Sequence, residues 1–223
     1  MRAAWTPQVG PQADAISATW CPEMLFGGAK FGGKSDFLLG DYLQDVEKYD
    51  RHWQGILFRQ SMPEMEELVR RSHELYPITG ATWLEQKRRW VWPNGASLKF
   101  RYMEHERDFT AYNGHSYCWI GFDELGQWPS LEGYKMMIGC LRWAEADIPT
   151  KRIRSSANPG GKGHAVVKER FIDPAPSGYA PLYDEASRMW RMFIPSRIQS
   201  NKLGLLRDPD YIHRLNAVGS PEL

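Results

Sequence analysis

The sequence predicts an α/β fold in which helices flank a mainly parallel central sheet. Short apolar runs that look like buried strands alternate with helical stretches along the chain, which is the pattern of strand–helix–strand units. One such run leads into a glycine-rich turn and the start of a helix, and a later run ends in two acidic residues. A chain of 223 residues can bury one sizeable core, so we expect a single domain over residues 1–223.

Composition and charge narrow the class of protein. Hydrophobic residues make up 42% and aromatic residues 13%, as in folded globular proteins. The apolar runs fall far short of the ~20 residues that span a bilayer, and the N-terminus lacks a signal-peptide core, so we expect a cytoplasmic protein without a membrane partner. The net charge is only +1, so any contact with nucleic acid must be local, transient or summed over several copies.

The elements follow in order. Residues 1–23 are rich in proline and glutamine, and Gly10-Pro11 is a turn signal, so we expect an irregular arm there. A β-hairpin is expected near 88–102, because residues that suit paired strands lie on both sides of Pro93-Asn94-Gly95. The other predicted strands are 24–26, 55–58, 118–122, 153–157 and 190–194, and the predicted helices are 33–46, 63–76, 131–141, 163–171 and 209–218.

The turn after the first strand matches G-x-x-x-x-G-K-[ST] at every fixed position. Its residues are Gly28, Ala29, Lys30, Phe31, Gly32, Gly33, Lys34 and Ser35. Glycines let the backbone N–H groups converge on phosphate oxygens, and the helix that follows adds its positive dipole end. In this pattern Lys34 reaches the β- and γ-phosphates and the Ser35 hydroxyl binds Mg²⁺. The alternative is a chance glycine-rich turn before a helix.

Asp123 and Glu124 supply the acidic half of such a site. They end an apolar strand 88 positions after Ser35, counted as 123 minus 35. Asp123 would face the metal, and Glu124 would polarise the attacking water as general base. An exposed acidic pair that caps the next helix is the alternative. With the glycine-rich loop, the pair predicts a P-loop NTPase of the glutamate-base (ASCE) type.

A third polar segment, from Ser155 to Gly161, follows another predicted strand. Ser156 and Asn158 are its candidate γ-phosphate sensors, because an asparagine amide can hydrogen-bond both a phosphate and the attacking water. Asn-Pro and Gly-Gly are also ordinary turn sequences, so a plain turn is the alternative.

In this order the three segments resemble the ATPase domain of the tailed-bacteriophage large terminase, the motor that pumps DNA into a procapsid. Further local matches cover essentially the whole chain. They are Trp5-Thr6-Pro7 with Gly10-Pro11-Gln12, Phe58-Arg59-Gln60, the hairpin segment 94–100, and 157–164 followed by the helix segment 166–171.

The resemblance implies ATP with Mg²⁺ as the cofactors, and it assigns further residues. Gln12 would contact the adenine edge. Lys30 stands where many of these motors carry an arginine that touches the γ-phosphate, which makes it a catalytic candidate beside Lys34 and Glu124, although lysine lacks arginine's planar fork. A neighbouring subunit would supply an arginine finger in trans, for which the candidates are Arg101, Arg107 and Arg142. Taken alone, an arginine of this kind is more often a surface ion-pair partner, which is the alternative for each of the three.

The implied partners are double-stranded DNA, the portal protein and the small terminase subunit. The implied assembly is a homo-oligomeric ring, a pentamer on the portal, with a monomer expected in isolation. The location is the host cytoplasm, transiently on the procapsid.

A full large terminase also carries a C-terminal nuclease domain. No second set of spaced carboxylates precedes Leu223, so we expect that domain and its activity to be absent from this chain. Two other functions stay open. One is a helicase-like glutamate-base ATPase. The other is a nucleotide-binding assembly module with little turnover, because a trans finger is worth ~10³–10⁵ in rate.

Overall fold

The computed structural model describes residues 4–217, so residues 1–3 of the predicted arm and residues 218–223 lie outside the described residues. The strands are β1 Glu23–Gly28, β2 Gln54–Arg59, β3 Thr82–Leu84, β4 Arg89–Val91, β5 Ser97–Tyr102, β6 Trp119–Phe122, β7 Arg152–Ala157, β8 Leu182–Asp184 and β9 Met189–Ser196. The α-helices are α1 Pro11–Ser17, α2 Lys34–Leu43, α3 Val46–Tyr49, α4 Met62–Leu75, α5 Glu132–Ile138, α6 His164–Val167, α7 Lys202–Arg207 and α8 Tyr211–Ala217.

The strands form one nine-stranded sheet in the order β3-β4-β5-β2-β6-β7-β1-β9-β8. In this spatial order, the pairings from β5 through β2, β6, β7 and β1 to β9 are all parallel. The pairings of β3 with β4, β4 with β5 and β9 with β8, at the two ends of the sheet, are antiparallel. The predicted mainly parallel α/β sheet is therefore confirmed. Because parallel strands share one carboxyl edge, the residues that follow β1, β7, β6 and β2 lie side by side there.

Strand β7 lies between β1 and β6. Its Ser156 is level with Phe26 of β1, and its Ser155 is level with Phe122 of β6. The three predicted site segments, which follow β1, β6 and β7, are consequently neighbours at the same edge.

Two apolar clusters hold the sheet, one on each face. The first packs around α2 and α4 and includes Tyr42, Trp53, Trp90, Trp92 and Trp119. The second includes Phe58, Phe122, Trp128, Tyr134 and Phe171. All residues of β6 and β7 are buried, as expected for central strands covered on both faces. Among residues 4–217, every helix is too short or too polar to cross a lipid bilayer.

Three details of the fold add to or depart from the sequence prediction. The expectation of an irregular arm is wrong for residues 11–17, where α1 forms with Pro11 in its first turn. The hairpin of β4 and β5 is confirmed, but β5 also pairs in parallel with β2, so the hairpin and β3 extend the main sheet. The predicted helix 163–171 is split into α6 and a π-helical turn, Lys168–Ile172.

Candidate nucleotide-binding site

The glycine-rich loop joins β1 to α2 and packs against the end of β9. Gly28 has a φ of 130°, and a Cβ there would lie 2.3 Å from the carbonyl oxygen of Ser196, so only glycine fits. The Ala29 N–H donates to that same oxygen at 2.9 Å. The Ser196 hydroxyl donates to the carbonyl of Gly32 at 3.0 Å. These bonds fix the loop before any ligand arrives.

Lys34 is the first residue of α2, and its side chain folds back over the loop. Its Nζ donates to the carbonyl oxygen of Ala29 at 2.6 Å and to Oδ1 of Asn158 at 2.5 Å. The residue is only 6% exposed. Its charge is thus held at the mouth of the loop by the residue that follows β7.

Asp123 follows β6 and is fully buried. Its Oδ2 accepts from the Ser35 hydroxyl at 3.0 Å and from Nε of Arg59 at 2.9 Å. Its Oδ1 accepts from the Ser156 hydroxyl at 2.5 Å. A buried carboxylate needs such partners, and Arg59 at the end of β2 supplies the compensating charge.

The donor set suits Mg²⁺. Ser35 and Asp123 offer adjacent oxygen ligands, and Mg²⁺ is commonly held by one or two such groups together with substrate phosphates. Within residues 4–217, no cluster of three His, Cys, Asp or Glu side chains forms a separate metal site. The residues present therefore fit a metal that arrives with a nucleotide.

Glu124 has a backbone φ of 59°, in the left-handed region that non-glycine residues seldom adopt. Its N–H donates to the Ser156 hydroxyl at 2.8 Å, which holds this turn. Burial raises the pKa of its carboxyl, and the negative charge of Asp123 raises it further, while Lys34 and Arg59 oppose the rise. Positive φ values of this kind concentrate at functional sites.

Asn158 connects Glu124 to the loop. Its Nδ2 donates to both carboxylate oxygens of Glu124, at 2.7 and 2.8 Å, while its Oδ1 accepts from Lys34. The structure therefore brings together Lys34, Glu124 and Asn158, which were predicted from three separate segments of the sequence.

Lys30 is exposed and lies at a cleft of about 300 Å³. Glu124, Asn158 and Lys162 also line this cleft. Lys30 thus faces the same space as the candidate base.

Gln12 is nearly buried, at 6% exposure. Its Nε2 donates to the carbonyl of Gly33 at 2.9 Å, and its Oε1 accepts from the N–H of Gln8 at 2.7 Å. In this structure its amide fastens α1 and the preceding arm to the loop. Contact with adenine stays a prediction.

The three finger candidates lie away from these contacts. Arg101 donates to the carbonyls of Arg88 and Phe100. Arg142 donates to Ser116 and Gly114, and Arg107 is exposed. No hydrogen bond of the described residues joins any of the three to the loop, Asp123, Glu124 or Asn158. A role in a neighbouring subunit stays a prediction.

Two site contacts were missed from the sequence. The segment Phe58-Arg59-Gln60 was noted, but Arg59 was given no role; its place at the end of a strand next to β6 was the available signal. The second contact lies at the loop apex, where the Asn201 side chain donates to the carbonyl of Phe31 and Tyr211 stacks on the Phe31 ring at 4.2 Å. Nothing local in the sequence indicates it.

Comparison with known proteins indicates a family. Residues 27–136, from the loop to α5, match the family model described as the terminase large subunit, T4likevirus-type, N-terminal. The match covers just under half of the chain and supports a terminase large subunit N-terminal domain. A comparison of the sequence with curated proteins gives no match.

Solved structures of large terminases have a similar fold. The large terminase of a thermophilic bacteriophage superposes with a TM-score of 0.62 at 11% identity, covering 91% of this chain and 50% of that one. A point mutant of the ATPase domain of the Thermus phage P74-26 large terminase gives a TM-score of 0.59 at 13% identity, covering 95% of this chain and 89% of that one. These likenesses support the predicted α/β fold with its mainly parallel sheet, and the glutamate-base type stays a prediction.

A structure of the same thermophilic bacteriophage's large terminase in complex with ATP-gamma-S also matches, with a TM-score of 0.57 at 11% identity, covering 88% of this chain and 46% of that one. The present chain thus spans about half the length of the large terminase from that bacteriophage.

Proposed function

We propose that this terminase domain binds and hydrolyses ATP with Mg²⁺, and that hydrolysis drives double-stranded DNA into a procapsid. The observation that carries the proposal is the chain of hydrogen bonds from Lys34 through Asn158 to Glu124, which links a P-loop lysine to a candidate base. The likeness to thermophilic-bacteriophage terminase structures in complex with ADP and with ATP-gamma-S supports ATP as the nucleotide.

The loop residues 28–35 bind the triphosphate. Backbone N–H groups of the loop and the N-terminal end of α2 attract phosphate oxygens, and Lys34 adds a full positive charge. Ser35 and Asp123 hold Mg²⁺, which when bound neutralises charge that develops on the phosphates.

Glu124 orients the attacking water and accepts its proton. Its carboxylate must be ionised for this step, and the raised pKa brings it closer to the pH at which it works. Asn158 fixes both oxygens of the carboxylate, so it sets the direction in which the base points.

Asn158 and Ser156 form the γ-phosphate sensor. Asn158 accepts from the lysine that reaches the phosphates, and Ser156 holds Asp123 and the backbone of Glu124. A phosphate that draws Lys34 away changes the bonds of Asn158, and strand β7 carries that change into the sheet. Lys30 contributes a second cation at the cleft, and Gln12 supports adenine binding.

The proposed partners are double-stranded DNA, the portal protein and the small terminase subunit, in a homo-oligomeric ring on the procapsid in the host cytoplasm. In that ring one of Arg101, Arg107 and Arg142 acts in the neighbouring site. Ring assembly on the portal gives the domain access to a partner arginine.

Steady-state release of phosphate from ATP tests the chemical step. We expect Glu124→Gln to lose turnover by about 10²–10⁴-fold while retaining ATP binding, and Lys34→Ala to lose binding as well. Glu132→Gln, an exposed glutamate on α5, is the matched control and keeps the parent rate. Equal turnover in the parent and the Glu124 variant would refute the general-base role.

The motor function needs its own assay. Procapsids with portal, linear DNA and the complete partner set are combined, and DNA protected from nuclease is scored. Protection that requires both ATP and Glu124 supports translocation. ATP bound without turnover in the assembled ring points instead to an assembly module.

A further inference from the structure

The two faces of the β4–β5 hairpin differ sharply. On one face Trp90, Leu98 and Phe100 are buried, and the Trp90 indole donates to Ser72 of α4. On the other face Arg89 of β4 lies directly opposite Lys99 of β5. Arg101 follows two positions later and therefore points to the same face. All three cationic residues are partly buried.

This face has an excess of positive charge. Like charges directly opposite on neighbouring strands destabilise a sheet. Among the side chains that the structure describes, no ion pair joins Arg89, Lys99 or Arg101 to a carboxylate. Moreover, Nε of Arg89 is buried without a hydrogen-bond partner among the same residues. An arrangement of this kind is relieved by a bound anion.

A buried phenol belongs to the same region. Tyr117 is only 2% exposed, and its hydroxyl has no hydrogen-bond partner among the described residues. The Lys99 ammonium lies 5.4 Å from the centre of the Tyr117 ring. Burial raises the pKa of Tyr117, and the charge of Arg101 opposes that rise, which places both cations near the ring. Burial, Arg101 and Arg89 together lower the pKa of Lys99.

The geometry points to Arg89, Lys99 and Arg101 as a docking surface for the phosphate backbone of double-stranded DNA. The inference rests on the proposed function, because that function names DNA as the substrate. Alternate residues of a strand lie about 6.7 Å apart. The spacing of Lys99 and Arg101 therefore equals about two rises of 3.4 Å along the axis of a DNA duplex.

A backbone contact also agrees with the nearly neutral chain. With a net charge of +1, affinity for DNA must come from a local surface, and this face supplies one. Contacts to phosphates do not depend on the base sequence, which suits an enzyme that moves along any DNA.

Fluorescence anisotropy of a labelled DNA duplex, titrated with the protein at several salt concentrations, tests the surface. We expect the double variant Arg89→Gln/Lys99→Gln to bind DNA more than about tenfold more weakly at low salt. The slope of log affinity against log salt concentration, which is negative, should become less steep by about 1.8, because two phosphate contacts are lost. Thermal melting checks that each variant is folded.

The matched control is Arg70→Gln/Lys168→Gln, which removes two cations that already have carboxylate partners elsewhere. An equal loss in this control, an unchanged salt slope in the Arg89/Lys99 variant, or no duplex binding by the parent chain overturns the inference. Displacement of the duplex by inorganic phosphate at constant ionic strength identifies an isolated phosphate pocket and also overturns it. ATP hydrolysis is measured separately, so failure of the proposed function is distinguishable from failure of the DNA surface.

Discussion

The environment of Glu124 makes a prediction about pH. Burial and the charge of Asp123 favour the protonated carboxyl, so its pKa is above the ordinary value of 4.5. A protonated base cannot accept a proton, and hydrolysis should therefore decline on acidification at a higher pH than an ordinary glutamate would require. The pH profile of phosphate release in the folded range measures this. The residual rate of Glu124→Gln should lack the acidic limb, and a limb centred at or below 4.5 would contradict the assignment.

Arg59 gives a second residue-level prediction. Its guanidinium compensates a fully buried carboxylate, Asp123, so Arg59→Gln should lower the free energy of unfolding by about 3–5 kcal/mol. Added Mg²⁺ should restore part of the loss, because it supplies charge to the same oxygen. Melting curves with and without Mg²⁺ measure both effects. Arg71→Gln breaks a half-exposed ion pair with Asp36 and should lose less than about 1 kcal/mol, with no response to Mg²⁺.

At the scale of residues, the sequence predicts those site residues whose positions are defined by a local motif. Spacing within the loop places Lys34 and Ser35, and a strand that ends in two acids places Asp123 and Glu124. Arg59 contacts Asp123 across 64 positions and Asn201 contacts Phe31 across 170, so their partners depend on strand order, which no local pattern shows.

At the scale of elements, buried ion pairs join α2 to β7. Asp41 of α2 pairs with Arg154 at 3.3 Å and also accepts from the indole of Trp119. Arg152 pairs with Asp45, the residue before α3. Strand β7 leads to Asn158 and α2 begins with Lys34, so these ion pairs join the two elements that carry the Lys34–Asn158 bond.

We expect Asp41→Ala to lower the free energy of unfolding by about 3–5 kcal/mol, because it leaves buried guanidinium groups uncompensated. Urea denaturation measures this loss. Asp36→Ala, on the same helix but half-exposed, should lose less than about 1 kcal/mol. Similar losses in the two variants would show that the buried ion pairs do not hold α2 to β7.

The predicted elements were most accurate where hydrophobic runs were long. Strands β1, β2, β6, β7 and β9 were all expected. Helix α1 was missed because Gly10-Pro11 was interpreted as a turn, whereas proline also suits the first turn of a helix. Strands β3 and β8 are three residues long and lie at the sheet edges, where few residues carry a pattern.

At the scale of the whole molecule, the loop is prepared for a ligand by bonds from α1, β9 and the residue that precedes α7. Ligand binding should therefore stabilise the folded chain rather than refold it. With Mg²⁺ and an ATP analogue at about 100 times its dissociation constant, the gain is about 2.7 kcal/mol. For a chain of this size that raises Tm by roughly 5–10 °C. Lys34→Ala should abolish the shift, and an equal shift in that variant would contradict binding at the loop.

Asn158 ties the glycine-rich loop to Glu124 through the two ends of one amide group. Its single carbonyl oxygen accepts from Lys34, and its amide nitrogen donates to Glu124. An incoming phosphate that claims Lys34 thus exchanges one bond for another instead of adding one. Under the proposed function, a ligand that enters the loop is therefore felt one residue away from the base, and a single side chain keeps nucleotide occupancy and the direction of Glu124 in step.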